Sequence, residues 1–310
     1  MKRLAYGLAL IVALTSAGCQ TLRRAPSSPA VHGDAVAAPL TGEFDNHEQV
    51  WQAGDHRAAA PPHLVVIITA LPARDWFLWQ LHLDAATPLD ATWAMHRAGT
   101  ADGSVTLTPY RAMVAKPATG EDFDASQWAV LEACTLRGTP DAKGWRAKAE
   151  AGSCATIAPG IGRAAALLPL AIEREGEWLR VRLYADQARG ADGRENLRRV
   201  RWFDGWAAVN GGGPKASADN RDWHMNRGLR LSSEGGRAAL KWRDGGASGY
   251  SIELERLTYR ESETPVLKLS VIEDASGQVL TYAWANPEAT RIGLNLGWLQ
   301  VGLDATLPQP

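Results

Sequence analysis

Residues 177–185, EWLRVRLYA, alternate without a break. Leu179, Val181, Leu183 and Ala185 fall on one side, and Arg180, Arg182 and Tyr184 on the other. A period of two describes a strand with one dry face and one wet face. Further candidate strands follow at 63–69, 76–83, 91–97, 103–108, 144–150, 169–174 and 198–206. Sheets with a single dry face must cover it by packing or by closing on themselves. This pattern predicts an all-β fold built on an antiparallel sheet.

Two helices interrupt the expected series. One spans 41–54, where Asp45 and Glu48 have the spacing of a capping box and Phe44, Val50 and Trp51 share a face. The other covers 125–133, with Trp128 and Leu131 on one side. Three consecutive glycines and a proline mark 211–222 as a linker. Beyond it, six strand-like runs at 228–233, 237–243, 249–260, 266–273, 278–284 and 291–302 predict a C-terminal antiparallel β-meander over 223–304. It reads equally as a separate domain or as an extension of the first sheet.

The first 19 residues carry Lys2 and Arg3, then an apolar stretch from Leu4 to Ala17 that is too short to span a bilayer. They read as a signal peptide. Small residues precede Cys19, in the manner of a lipobox, so Cys19 is the expected lipidation site. Gln20, rather than Asp, follows it, as in lipoproteins sorted to the outer membrane. Residues 20–40, rich in Ala, Pro and Ser, read as a flexible tether. The expected address is the cell envelope, at the periplasmic face of the outer membrane, with the membrane reached through the lipid on Cys19. In that oxidising compartment Cys134 and Cys154 form one disulfide or remain two buried thiols.

Charge narrows the function classes. Thirty-three basic and 34 acidic residues give a net charge of −1, which argues against a nucleic-acid partner. The seven histidines show no ligand spacing, and three cysteines at these distances make no zinc pattern, so no metal site is expected. Nucleophile-elbow, zinc-protease and phosphate-loop motifs are absent. Thirteen Trp against four Phe stand out instead. A closed sheet that turns several indoles inward makes an apolar calyx with polar tips, suited to a hydrophobic small-molecule ligand.

Residues 40–210 resemble the CpcT/CpeT chromophore lyases, or phycobiliprotein lyases. The segment from Leu40 to Gln49 is similar to the family's LxGxFSNxxQ, with Asp45 in place of Ser. Residues 76–80, WFLWQ, resemble its FFVEQ strand, with Trp79 where the family has Glu. Residues 92–97 resemble its PYRxRV strand, with Ala94 and His96 where it has Arg. The segments around Cys134 and Cys154 resemble its LxGC and PGxxC, and 186–190 its SLDRGxD.

The resemblance implies a lipocalin-like antiparallel barrel, a calyx with an N-terminal helix, that holds a linear tetrapyrrole (bilin) and passes it to a Cys of an acceptor protein. No cofactor is required, a bound bilin or lipid aside, and the catalytic residues are left unassigned. The expected pocket has a helix carrying Phe44, Asn46 and Gln49 at one barrel end. Gln80, Trp93 and His96 come from two neighbouring strands, and Asp186 and Arg189 sit at the rim. The alternative is a non-enzymatic outer-membrane lipoprotein that carries a lipid or another hydrophobic ligand.

Overall fold

The computed structural model describes residues 40–55, 60–141, 144–185, 193–259 and 264–306. The first half consists of β1 (Gly42–Asp45), helix α1 (His47–Asp55), β2 (His63–Ala70), β3 (Trp76–Asp84), β4 (Leu89–Gly99), β5 (Val105–Ala112) and β6 (Trp128–Val130). These lead into β7 (Leu136–Asp141), β8 (Gly144–Lys148), β9 (Pro169–Glu175), β10 (Trp178–Leu183) and β11 (Glu195–Arg199). Neighbours run β4-β3-β2-β1-β11-β10-β9-β8-β7-β5, and β4 pairs back onto β5. That last ladder closes a ten-stranded antiparallel barrel, and β6 hangs on β5 as a short flap.

Alternation decides what enters the barrel. Leu179, Val181 and Leu183 on β10 and Leu170 and Ile172 on β9 join one core with Trp79, Trp93 and Trp145. The segment Ser153–Leu167, in 3₁₀ turns, packs Ile157 and Ile161 against this core beside Leu83 and Leu89. It plugs the barrel end at which β9 begins. A Cys134–Cys154 disulfide ties that plug to the turn before β7.

Three expectations need correction. The helix predicted over 41–54 begins only at His47, because 42–45 form β1. A four-residue strand is too short to show a period, and Phe44 matched the helical spacing of Val50 and Trp51 by coincidence. No helix forms at 125–133: a 3₁₀ turn at Ala125–Gln127 leads into β6 and a second turn at Glu132–Cys134. Asp124 caps the first turn by accepting from the Ser126 N–H at 2.9 Å. Trp128 and Leu131 are both buried but in different cores, Leu131 inside the barrel and Trp128 outside it.

The third correction concerns the boundary at 210. The barrel ends with β11, and β12 (Trp202–Asn210) already belongs to the second half. Residues 211–222 connect β12 to β13 (Trp223–Ser232), its hydrogen-bonded neighbour, and so lie within one sheet. Glycine-rich composition marks a turn as well as it marks a linker. The true joint is Val200–Arg201. The Val200 N–H donates to Glu43 O at 2.8 Å, and the Arg201 N–H to Ser233 Oγ at 3.1 Å.

The second half continues with β14 (Glu234–Lys241), β15 (Ala247–Thr258), β16 (Pro265–Glu273), β17 (Gln278–Ala285), β18 (Arg291–Asn295) and β19 (Leu299–Ala305). These strands make two four-stranded sheets, β13-β12-β19-β18 and β14-β15-β16-β17. Phe203, Leu231, Ile252, Leu269 and Val301 share the core between them. The expected meander is thus a two-sheet sandwich, and the run at 291–302 is two strands.

Candidate functional site

The motif around Phe44 sits where β1 stops pairing and the chain turns into α1. Phe44 is fully buried in the barrel. Two residues on, Asn46 Oδ1 accepts from the Leu64 N–H at 2.7 Å, and Nδ2 donates to Pro62 O at 3.0 Å. Gln49 does the same on the other side: Oε1 accepts from the Asn196 N–H at 2.9 Å, and Nε2 donates to Arg194 O at 3.0 Å. A carboxamide has the donor and acceptor of a peptide group. Asn46 and Gln49 therefore continue the ladders to β2 and β11 that β1 no longer supplies. Asn46 Nδ2 also reaches the buried Glu195 at 3.2 Å.

The sequence reading has the helix closing the barrel end; in the structure it packs against β2 and β11 of the barrel and against β14 and β15 of the sandwich, and none of its residues joins the barrel core among the described residues. Glu48 accepts from the Thr258 N–H at 3.1 Å, Gln52 donates to Thr258 O, and His47 Nε2 meets Glu255 at 3.2 Å. Gly235, at φ +81°, brings its backbone so close to the His47 ring that a Cβ there would stand 2.7 Å from it. No side chain fits at that approach.

Gln80, Trp93 and His96 do not meet. Trp93 points into the barrel, and its Nε1–H donates to Leu167 O at 3.2 Å. His96, on the opposite face of β4, packs at a tilt against Trp76 with centroids 4.8 Å apart. Trp76 also contacts Tyr110 and Phe123 in an aromatic cluster on the barrel's outer wall. Gln80 is exposed on that outer face. An odd-numbered spacing along a strand reverses the face, which separates Trp93 from both partners. Asp186, Arg189 and Cys19 lie outside the described residues.

What faces the interior is different. Trp79 and Trp93 are register partners on β3 and β4, and Trp145 comes from β8. The indole N–H groups of Trp79 and Trp145 are buried without a hydrogen-bond acceptor among the described residues. At the end opposite the plug, two arginines turn inward around Phe44. Arg174 lies over its ring at 5.3 Å and Arg199 at 5.1 Å. Arg174 donates to Trp178 O at 3.2 Å, and Arg199 to Thr41 O at 2.5 Å. Burial, with the nearby Arg199 charge, pulls the Arg174 guanidinium down to about 10. Burial lowers Arg199 as well, against the pull of Glu177. A third inward cation, Arg97, donates from Nε to Asp75 Oδ1 at 3.0 Å, and its buried Nη1 has no acceptor among the described residues.

The sequence reading missed Arg174 and Arg199. The signal was present: Arg174 follows Leu170 and Ile172 at the inward period, and Arg199 follows Leu197. Arginine at an inward position of an otherwise apolar strand costs desolvation unless something compensates it.

Compared with family models, with curated proteins and with solved structures, the chain matches none. Among the described residues no three His, Cys, Asp or Glu side chains converge to hold a metal, and no helix is long and apolar enough to cross a membrane.

Proposed function

We propose that the protein is a non-enzymatic envelope lipoprotein, anchored through Cys19, whose lipocalin-like calyx binds an apolar molecule with an acidic end group. The observation that carries this reading is the pair Arg174 and Arg199 facing inward around Phe44. Two guanidinium groups at the mouth of an apolar barrel are suited to a carboxylate whose body lies in the dry interior. The unpaired indole donors of Trp79 and Trp145 offer further sites for a ligand acceptor. A bilin, through its propionates, and a fatty acid both have this chemistry. Transfer of a bilin to an acceptor Cys is the additional step that the lyase resemblance implies. The residues on which that resemblance rests do not form one catalytic cluster: Asn46 and Gln49 complete backbone ladders, and Gln80 and His96 face outward.

The test is titration of the intact protein with biliverdin, followed by visible absorption, and with palmitate, followed by calorimetry. Saturable binding of either ligand, weakened about tenfold by Arg174→Met or Arg199→Met, is the expected result. Loss of neither ligand on both substitutions would refute the site. Appearance of a covalent bilin on an added phycobiliprotein would replace the carrier reading with the lyase reading.

A further inference from the structure

The outer wall of the barrel carries a second arrangement, on the opposite side of the sheet from the calyx. Registers across β7, β8, β9 and β10 align two rows of outward side chains. One row is Thr139, Arg146, Glu173 and Arg180; the next is Arg137, Lys148, Ala171 and Arg182. Adjacent strands lie ~4.8 Å apart, so each row spans about 14 Å.

The two rows differ in how their charge is met. Glu173 sits in the middle of the first and takes Arg146 at 3.0 Å, Arg180 at 3.3 Å and Arg194 at 3.5 Å. In the second row the central position is Ala171, so three cations flank a bare floor. Among the described residues Arg137, Lys148 and Arg182 make no ion pair, and Arg182 Nε is buried with no acceptor. A groove of about 570 Å³ lies over this row and is lined by both sets of side chains. Like charges within a Debye length of ~8 Å repel unless a counter-charge is supplied. Among the described residues the one carboxylate lining the groove, Glu173, is already shared by Arg146, Arg180 and Arg194.

We infer that the Arg137–Lys148–Ala171–Arg182 row is a binding site for a ligand carrying two or more phosphate groups. The guanidinium forks of Arg137 and Arg182 match the oxygens of a tetrahedral anion, and Lys148 adds a point charge between them. A lone carboxylate would neutralise one of the three cations, whereas linked phosphates neutralise all of them. The side chain that Ala171 lacks leaves the space for the ligand between Lys148 and Arg182. The chain as a whole is near neutral, at −1, which fits a short ligand rather than a long polyanion. This site stands independently of the calyx, since its side chains face the other way.

The experiment is calorimetric titration of the intact protein with tripolyphosphate at low ionic strength. A parallel arm uses flotation with phosphatidylcholine vesicles, with and without cardiolipin. Saturable tripolyphosphate binding is expected, weakened about tenfold by Lys148→Ala or by Arg182→Ala. It should be abolished by Ala171→Glu, which removes no cation but fills the floor with a negative charge. Lys241→Ala and Arg221→Ala, exposed cations elsewhere, should leave it unchanged. Thermal melts confirm that each variant is folded, and Arg137→Ala replaces any that is not. Cardiolipin-dependent flotation lost in the same variants would identify the source as a lipid headgroup. Tripolyphosphate binding without flotation would identify a soluble phosphate ligand. Absence of binding in both arms, or equal weakening in the Lys241 and Arg221 controls, would overturn the inference.

Discussion

Arg198 of the barrel grips Glu234 of the sandwich through both carboxylate oxygens, with Nε 3.1 Å from Oε1 and Nη2 2.7 Å from Oε2. Arg256 approaches the same carboxylate from β15, its Nε 3.2 Å from Oε1, and donates to Arg199 O at 3.0 Å. All three side chains are almost completely buried. Burial pushes the Glu234 carboxyl up, while Arg198 and Arg256 pull it down.

Removing the shared partner leaves two buried guanidinium groups, with Glu48 at 3.6 Å from Arg198 and the half-exposed Glu177 at 2.9 Å from Arg256. Breaking a buried ion pair from one side costs about 3–5 kcal/mol. Glu234→Ala should therefore lower the urea midpoint by an amount in this range, with fluorescence and circular dichroism still reporting one transition. A change below ~1 kcal/mol would show that water reaches the network.

Gln49 and Gln80 make a matched pair for testing the motif. Gln49→Ala strands Asn196 N–H and Arg194 O at the end of a ladder and should cost about 1–3 kcal/mol. Gln80→Ala, on an exposed face, should change stability by less than ~0.5 kcal/mol. Chemical denaturation of the two variants side by side measures the difference. Equal effects would contradict the ladder role of Gln49.

The Cys134–Cys154 bond closes a loop with a sequence separation of 20 and holds the barrel plug. Loop-closure entropy predicts a loss of about 3 kcal/mol in the double Ser variant. Hydrogen exchange should accelerate first in 153–167 and at the Leu167 carbonyl's partner, Trp93 Nε1. Uniform acceleration across the barrel would instead mean that the bond acts only on the unfolded chain.

Two histidines give stability a pH dependence of known sign. The hydrogen bond to Asp45, at 2.7 Å, raises His63, outweighing the lowering effect of burial. For His47 burial acts downward, but the Glu255 hydrogen bond and charge carry it upward overall. A raised imidazole stabilises the fold fully below its unfolded value of about 6.5. That contribution is lost as the pH rises through the higher folded value. Stability should fall as the pH rises above about 6.5, and more shallowly in His47→Gln/His63→Gln. An unchanged slope in the double variant would assign the dependence to other groups.

The strand Leu179–Leu183 was legible because its wall alternates cleanly, whereas Leu64–Ile68 was legible only as a short run rich in β-branched residues, its alternation appearing in burial and not in sequence. β1 was not, since four residues carry no period, and its place between β2 and β11 depends on long-range pairing. The site fared worse for a similar reason. Trp93 and His96 are near in sequence, yet a three-residue step puts them on opposite faces of the wall. Arg174 and Arg199 are 25 positions apart and meet only through Phe44, which belongs to a third strand. The joint was misplaced because Val200–Arg201 has no glycine or proline to mark it, whereas the within-sheet connection at 211–222 has both.

That unmarked joint also governs how the molecule tumbles. With two residues between β11 and β12, both tied by their amides to neighbouring strands, the halves have no freedom to reorient separately. The barrel and the sandwich then share one rotational correlation time, and residual dipolar couplings from both fit a single alignment tensor. A ligand at the barrel mouth or in the outer groove would consequently be held at a fixed angle to the exposed Tyr282–Trp284 stack on β17.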